Sequence, residues 1–238
     1  MNPNHLSKFL EFNFQQGPVG VAPYEWAHTY LKGHTSQQPL KALLSDLPKQ
    51  KLNRNEVYQI CASEIDVLFG YLCVMAWGNQ GKPGPRHPSE AWESSYAISK
   101  LLSEIRRGLP RAVAYNCFTT KGGSKFKGLG PSFFTKLIAF FSKDKNAYIM
   151  DQWTARSINL LMGSEIVQLT SGRYVSQTNT GMNYEAFCVA VEKLTEICNL
   201  KNPYGPVQSA EEIEARLFSE GGKGDKAQPW RVYVRDHT

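Results

Sequence analysis

The chain has 238 residues, a formal net charge of +6 and an apolar share of 42%, enough for one large domain or two small lobes around a real core. Charged residues make up 20% and no long tract lacks aromatics, which excludes wholesale disorder. The longest apolar runs, such as 137–141, fall far short of the roughly 20 residues of a membrane span. The first twelve residues show no basic stretch followed by an apolar core and a cleavage site. The expectation is a soluble, cytoplasmic protein with no membrane partner.

The positive excess is local. Between Lys121 and Arg156 seven basic residues stand against two acids, Asp144 and Asp151, which predicts a polyanion partner, nucleic acid ahead of a membrane surface. The alternative is a solvated basic face with no partner. The five cysteines (61, 73, 117, 188 and 198) form no CxxC pair and read as buried thiols in a reducing compartment. The five histidines show no metal-ligand spacing, so neither a metal nor a cofactor is expected.

In chain order, 23–31 and 39–47 read as short helices. A long amphipathic helix runs from Asn55 through Val57, Ile60, Ile65, Leu68, Leu72 and Met75 to Gly78. The Gly/Pro loop 79–88 ends it, and 89–107 is helical again up to the stop at Gly108 and Pro110. Gly122 and Gly123 break the chain, and helices follow at about 131–142, 152–162, 183–200 and 209–219. Only 166–170 and 230–234 offer weak strand patterns. The fold class is all-α.

The most informative stretch is 125–141. Gly128-Leu129-Gly130 is a tight turn, and Pro131 stands where a helix takes its first residue. From Phe133 the apolar positions form one broad stripe, with Ser132, Thr135, Lys136 and Lys143 opposite. A Gly-rich turn that opens a helix leaves backbone N–H groups for a phosphate. Read alone, it is more often just a turn. Further along, Asp151 follows an apolar trio and directly precedes a helix, in the N-cap position.

Phe126-Lys-Gly-Leu-Gly130, followed some 20 residues later by Asp151, resembles the helix-hairpin-helix DNA glycosylase superfamily, and the wording of 127–136 resembles its bacterial 8-oxoguanine-DNA-glycosylase-like branch. The resemblance implies a two-lobed helical domain over 1–238 with a cleft between lobes at about 1–115, to which the C-terminal helices could return, and 116–200. It implies Asp151 as the catalytic carboxylate. DNA contacts would come from Lys125, Lys127, Gly128, Gly130, Ser132 and Arg156, and a wedge would come from Asn79 and Gln80 (a polar surface turn otherwise). Trp153 and Tyr148 would stack on the extruded base, although aromatics beside a hairpin are commonly core.

Three features depart from the superfamily. The position of its nucleophilic Lys is Ser132, the His after the catalytic Asp is replaced by Trp153, and the iron–sulfur cysteines are absent. Lys136, one turn along the helix, has three open readings: a displaced Schiff-base nucleophile, giving strand cleavage as well; a pocket residue; or a solvated lysine. The implied activity is extrusion of a modified base from double-stranded DNA and hydrolysis of its N-glycosidic bond, with no obligate protein partner. The base would be an oxidised purine such as 8-oxoguanine in repair, or a modified base of foreign or phage DNA in defence. A non-catalytic helix-hairpin-helix DNA-binding module is the rival.

Overall fold

A computed structural model describes residues 1–12, 20–63, 66–78, 86–202, 205–219 and 228–238. Among the described residues it holds thirteen α-helices, two 3₁₀ turns and two small antiparallel sheets of two strands each. The fold is therefore all-α, as the sequence predicts. The chain forms two compact units, one of Gly17–Ala147 and one of Met1–Gln16 with Tyr148–Thr238.

Helix α1 (Pro3–Glu11) belongs to the second unit. The first unit contains α2 (Pro23–Tyr30), α3 (Leu40–Leu43), α4 (Arg54–Ala62), α5 (Val67–Trp77), α6 (Arg86–Trp92), α7 (Ser95–Arg106), α8 (Arg111–Cys117), the pair β1 (Thr119–Thr120) and β2 (Gly123–Ser124), and α9 (Pro131–Phe141). The long helix expected from Asn55 to Gly78 is two helices. Ser63 ends α4, its hydroxyl donating to the Ile60 carbonyl at 2.7 Å. Asp66 opens α5 by accepting the Leu68 N–H at 2.7 Å. Short polar side chains compete with helix hydrogen bonds and favour caps, so this pair divides the apolar run. The helix expected over 89–107 likewise becomes α6 and α7.

Every residue of α5 from Leu68 to Trp77 is buried, and α2, α4, α7 and α9 pack on it. Each large side chain so buried contributes about 1.5–3 kcal/mol. Helix α9 joins this core through Phe140, whose ring lies 4.7 Å from Tyr58 and 4.8 Å from Trp77, and through Phe134, stacked on Phe118 at 5.1 Å. Thr135, assigned by pattern to the polar face, is fully buried and turns its hydroxyl onto the Pro131 carbonyl at 2.7 Å. Gly122 and Gly123 do not simply break the chain; they help close the β1–β2 hairpin, in which Thr120 pairs with Gly123.

The second unit is built on α10 (Gln152–Met162), followed by β3 (Leu169–Thr170), β4 (Tyr174–Val175), α11 (Gly181–Lys201), α12 (Ala210–Phe218) and α13 (Pro229–His237). The weak strand pattern at 230–234 is helix α13: Pro229 occupies its first turn and Trp230 and Val234, four apart, are buried. Of 166–170 only Leu169–Thr170 is strand. Helices α1, α11, α12 and α13 surround α10. The Arg216 guanidinium of α12 holds α1 in place by donating to the carbonyls of Phe9 at 3.0 Å and Phe12 at 2.9 Å. All five cysteines are free thiols, and all but Cys117 are buried.

Candidate nucleic-acid interface and carboxylate site

The Gly-rich turn lies in the first unit. Phe126 (edge-on to Phe118 at 5.7 Å) and Leu129 anchor it in the core. Between them Gly128 has φ +79°, and a Cβ there would stand 2.1 Å from the His87 carbonyl oxygen. No L side chain fits that position. The Ser124 hydroxyl lies against the carbonyls of Phe126 and Leu129, coupling the turn to β2. Sequence reasoning passed over this serine, which had no signal beyond its place beside the glycines. Gly130 is the N-cap of α9, Pro131 follows, and no side chain caps this N-terminus. The Phe133 and Phe134 N–H groups both donate to the Gly130 carbonyl, at 2.9 and 3.0 Å, so what this N-terminus presents to an anion is the Ser132 N–H together with the positive end of the helix dipole.

Lys125 is exposed, its ammonium 5.6 Å from the Phe126 ring. Lys127, also exposed, forms an ion pair with Glu90 at 2.9 Å, an exposed contact worth about 0–1 kcal/mol. Ser132 is half-buried. Lys136 is half-buried too, its Nζ donating to the Ser132 carbonyl at 2.6 Å. Its stem occupies the space beside Gly78, where a Cβ would approach Cδ to 2.7 Å. The glycine thus serves the lysine rather than its own backbone, whose φ is −74°. Asn79 and Gln80 lie outside the described residues.

Asp151 lies in the second unit and is 7% exposed. It is the N-cap of α10: Oδ1 accepts the N–H of Trp153 at 2.7 Å and of Thr154 at 3.0 Å. In return the Asp151 N–H donates to Thr154 Oγ1 at 2.9 Å. Among the described residues no hydrogen bond falls on Oδ2, so one carboxylate oxygen is fixed by backbone donors and the other is uncommitted.

Trp153 is half-buried, with the Arg156 guanidinium 5.0 Å and the Arg231 guanidinium 4.8 Å from its ring. Arg156 itself is 5% exposed and donates through Nε and Nη2 to Thr238 Oγ1. Burial, and secondarily the charge of Arg173, push its pKa down from the ordinary guanidinium value. Tyr148 is 4% exposed, its hydroxyl 3.4 Å from Glu192 and its carbonyl accepting the Tyr184 hydroxyl at 2.8 Å. In this structure Arg156 and Tyr148 are parts of the interior, whereas Trp153 is only half-buried. Arg231, which the sequence did not single out, is a further neighbour of Trp153.

Residues 13–218 match the family described as "Putative 8-oxoguanine DNA glycosylase OGG-like protein", and the chain belongs to that family. No curated protein and no solved structure matches it.

Proposed function

We infer that this protein is a DNA glycosylase that hydrolyses the N-glycosidic bond of a modified base, in a single glycosylase domain spanning both units. The observation that carries the reading is the state of Asp151: a buried carboxylate held on one oxygen by two backbone N–H groups, with no hydrogen bond from a described residue on the other. As the base leaves, the C1′–N bond breaks and positive charge develops on the sugar. A fixed carboxylate stabilises that oxocarbenium-like state and orients a water. The water oxygen bonds to C1′, one of its protons goes to the carboxylate or solvent, and the base departs with its electron pair and is protonated.

The turn 125–130 and the N-terminus of α9 would take a backbone phosphate without reading sequence, with Lys125 and Lys127 adding charge. The target nucleotide must leave the duplex for its C1′ to be reached, and the half-buried Trp153, two residues from Asp151, is the aromatic that would meet it. Hydrolysis without strand cleavage is favoured because the Lys136 ammonium is engaged by the Ser132 carbonyl, whereas a Schiff-base nucleophile must present a free amine. The family description favours an oxidised purine such as 8-oxoguanine as substrate, and hence a role in repair.

The test is incubation with duplexes carrying oxidised and hypermodified bases, resolved with and without hot alkali and with a borohydride trap. Breaks that appear only after alkali are expected. A trapped adduct lost in Lys136→Ala would replace hydrolysis by a lyase mechanism. Tight binding with no release from any duplex would leave a non-catalytic DNA-binding module. Release confined to phage-type modified bases would move the role from repair to defence.

A further inference from the structure

At the opposite end of α9 from the Gly-rich turn, about 16 Å along the helix at 1.5 Å per residue, the first unit contains a second basic feature. A cavity of about 100 Å³ is lined there by Tyr58, Phe140, Phe141, Arg106, Lys143 and Lys145 among others. By the same measure a single water needs only ~10–15 Å³. Its lining combines the rings of Tyr58, Phe140 and Phe141 with the cations Arg106, Lys143 and Lys145, and its described lining holds no carboxylate. The Arg106 guanidinium lies 5.3 Å from the Phe141 ring and the Lys145 ammonium 5.3 Å from the Tyr58 ring.

The charge around the cavity is one-sided. The segments 106–111 and 142–147 carry Arg106, Arg107, Arg111, Lys143 and Lys145 against a single acid, Asp144. Arg111 donates to the Asn146 carbonyl, and the Ser142 hydroxyl donates to Asn146 Oδ1 at 3.1 Å, so the segment carrying both lysines is fixed at its two ends. Lys145 is held at φ +50°, a left-handed conformation costly for a residue with a Cβ. Cations do favour helix C-termini, and α7 and α9 both end here, but that preference accounts for the charges and not for the cavity they enclose.

We propose that this pocket is a phosphate-binding site, distinct from the Gly-rich turn, in which Lys143 and Lys145 grip the anion beside Arg106 and the rings of Tyr58, Phe140 and Phe141. The low-dielectric rings strengthen each charge–phosphate attraction relative to open water. The phosphate could belong to DNA or to a free phosphate compound, and the two sources separate experimentally.

The experiment uses the full chain and the double variant Lys143→Gln/Lys145→Gln. Both lysines are exposed, and thermal melting checks that the variant folds as the parent does. Lys41→Gln/Lys51→Gln, equally exposed, controls for the change in net charge. Inorganic pyrophosphate is titrated calorimetrically, and duplex DNA affinity is followed against salt. If the source is free phosphate, the parent and the control bind pyrophosphate and the pocket variant loses at least tenfold. If the source is DNA, the log–log salt slope of the pocket variant becomes shallower by about 1.8, two contacts at roughly 0.9 each, with the control unchanged. The proposal is overturned if pocket variant and control behave alike in both arms. Base release is not read here, so the outcome is independent of Asp151 and of the glycosylase reading.

Discussion

Replacing Asp151 by Asn separates charge from structure at the proposed reaction centre. Asn and Asp are about equally good N-caps, and the amide oxygen can still accept the Trp153 and Thr154 N–H groups that Oδ1 accepts now. Folding stability should therefore change by less than about 1 kcal/mol, which for a chain of this size moves the melting temperature by no more than about 2–4 °C. What disappears is a negative charge facing a developing cation. At a separation of ~4 Å and an effective dielectric of ~20, that interaction is worth about 4 kcal/mol. At 1.36 kcal/mol per tenfold the loss corresponds to roughly a thousandfold in rate. The assay is single-turnover base release, scored after hot alkali, beside DNA affinity over a range of salt. The reasoning is refuted if the variant releases base within threefold of the parent rate, since no carboxylate-stabilised step could then be limiting. Asp151→Ala adds the loss of the cap, about 1 kcal/mol, and should melt lower than Asp151→Asn.

Gly128→Ala forces a Cβ to within 2.1 Å of the His87 carbonyl oxygen at φ +79°. Destabilisation by roughly 2–4 kcal/mol with weakened DNA binding is expected, and a melting temperature within a degree of the parent would show that the turn is not what holds that backbone. Glu90→Gln releases Lys127 from its ion pair and should tighten DNA binding severalfold at low salt, whereas Lys127→Ala should reduce the salt slope by about 0.9; no change in either sinks the assignment of Lys127 to DNA. Gly78→Ala places a Cβ 2.7 Å from Lys136 Cδ, a flexible stem that can move, so the melting temperature should stay within a few degrees of the parent; a larger fall would show that the stem is not free to give way. Burial pushes the Cys73 thiol up to about 12 and raises those of Cys61 and Cys198 as well. At pH 8 only Cys117, the partly exposed one, should react quickly with a disulfide reagent, and a second fast thiol would contradict this core.

The helical class was legible because Pro131, Asp151 and the apolar stripe of α9 report local rules that tertiary packing does not overrule. The same rules missed the division of the 55–78 run: Ser63 and Asp66 are cap residues, but so many apolar neighbours outweigh them in a periodicity count. Helix α13 was misread because alternation over Trp230–Val234 mimics a strand, while the burial that settles it as a helix comes from packing on α10. The glycines of the turn were readable as a turn, yet only the position of the His87 carbonyl shows why Gly128 admits nothing larger. Arg231, Ser124 and Gly78 act through neighbours distant in sequence, and no spacing pattern announces such contacts. Thr135 shows the opposite error, since a small hydroxyl that satisfies itself on the preceding turn can be buried at little cost.

Two helix N-termini in this chain are handled in opposite ways, and the contrast bears directly on function. At α9 the cap is Gly130, which offers no side-chain acceptor, and Pro131 removes a donor that had no partner to lose. Phe133 and Phe134 donate to the Gly130 carbonyl, and the Ser132 N–H with the positive end of the dipole is left for an external anion. At α10 the corresponding donors are consumed by the chain's own Asp151, so that N-terminus repels a second anion and instead holds a carboxylate rigid. A protein that only gripped DNA would gain from two open N-termini, since each would take a phosphate. Closing one of them around a buried carboxylate sacrifices a binding contact, and it makes sense where a fixed negative charge is needed beside a cation that exists only during bond breaking. Side-chain caps also close the N-termini of α1, α4, α5, α11 and α12, so the cap alone does not separate an enzyme from a bare binding module; Asp151→Asn, which should preserve the closed cap and remove only the charge, does.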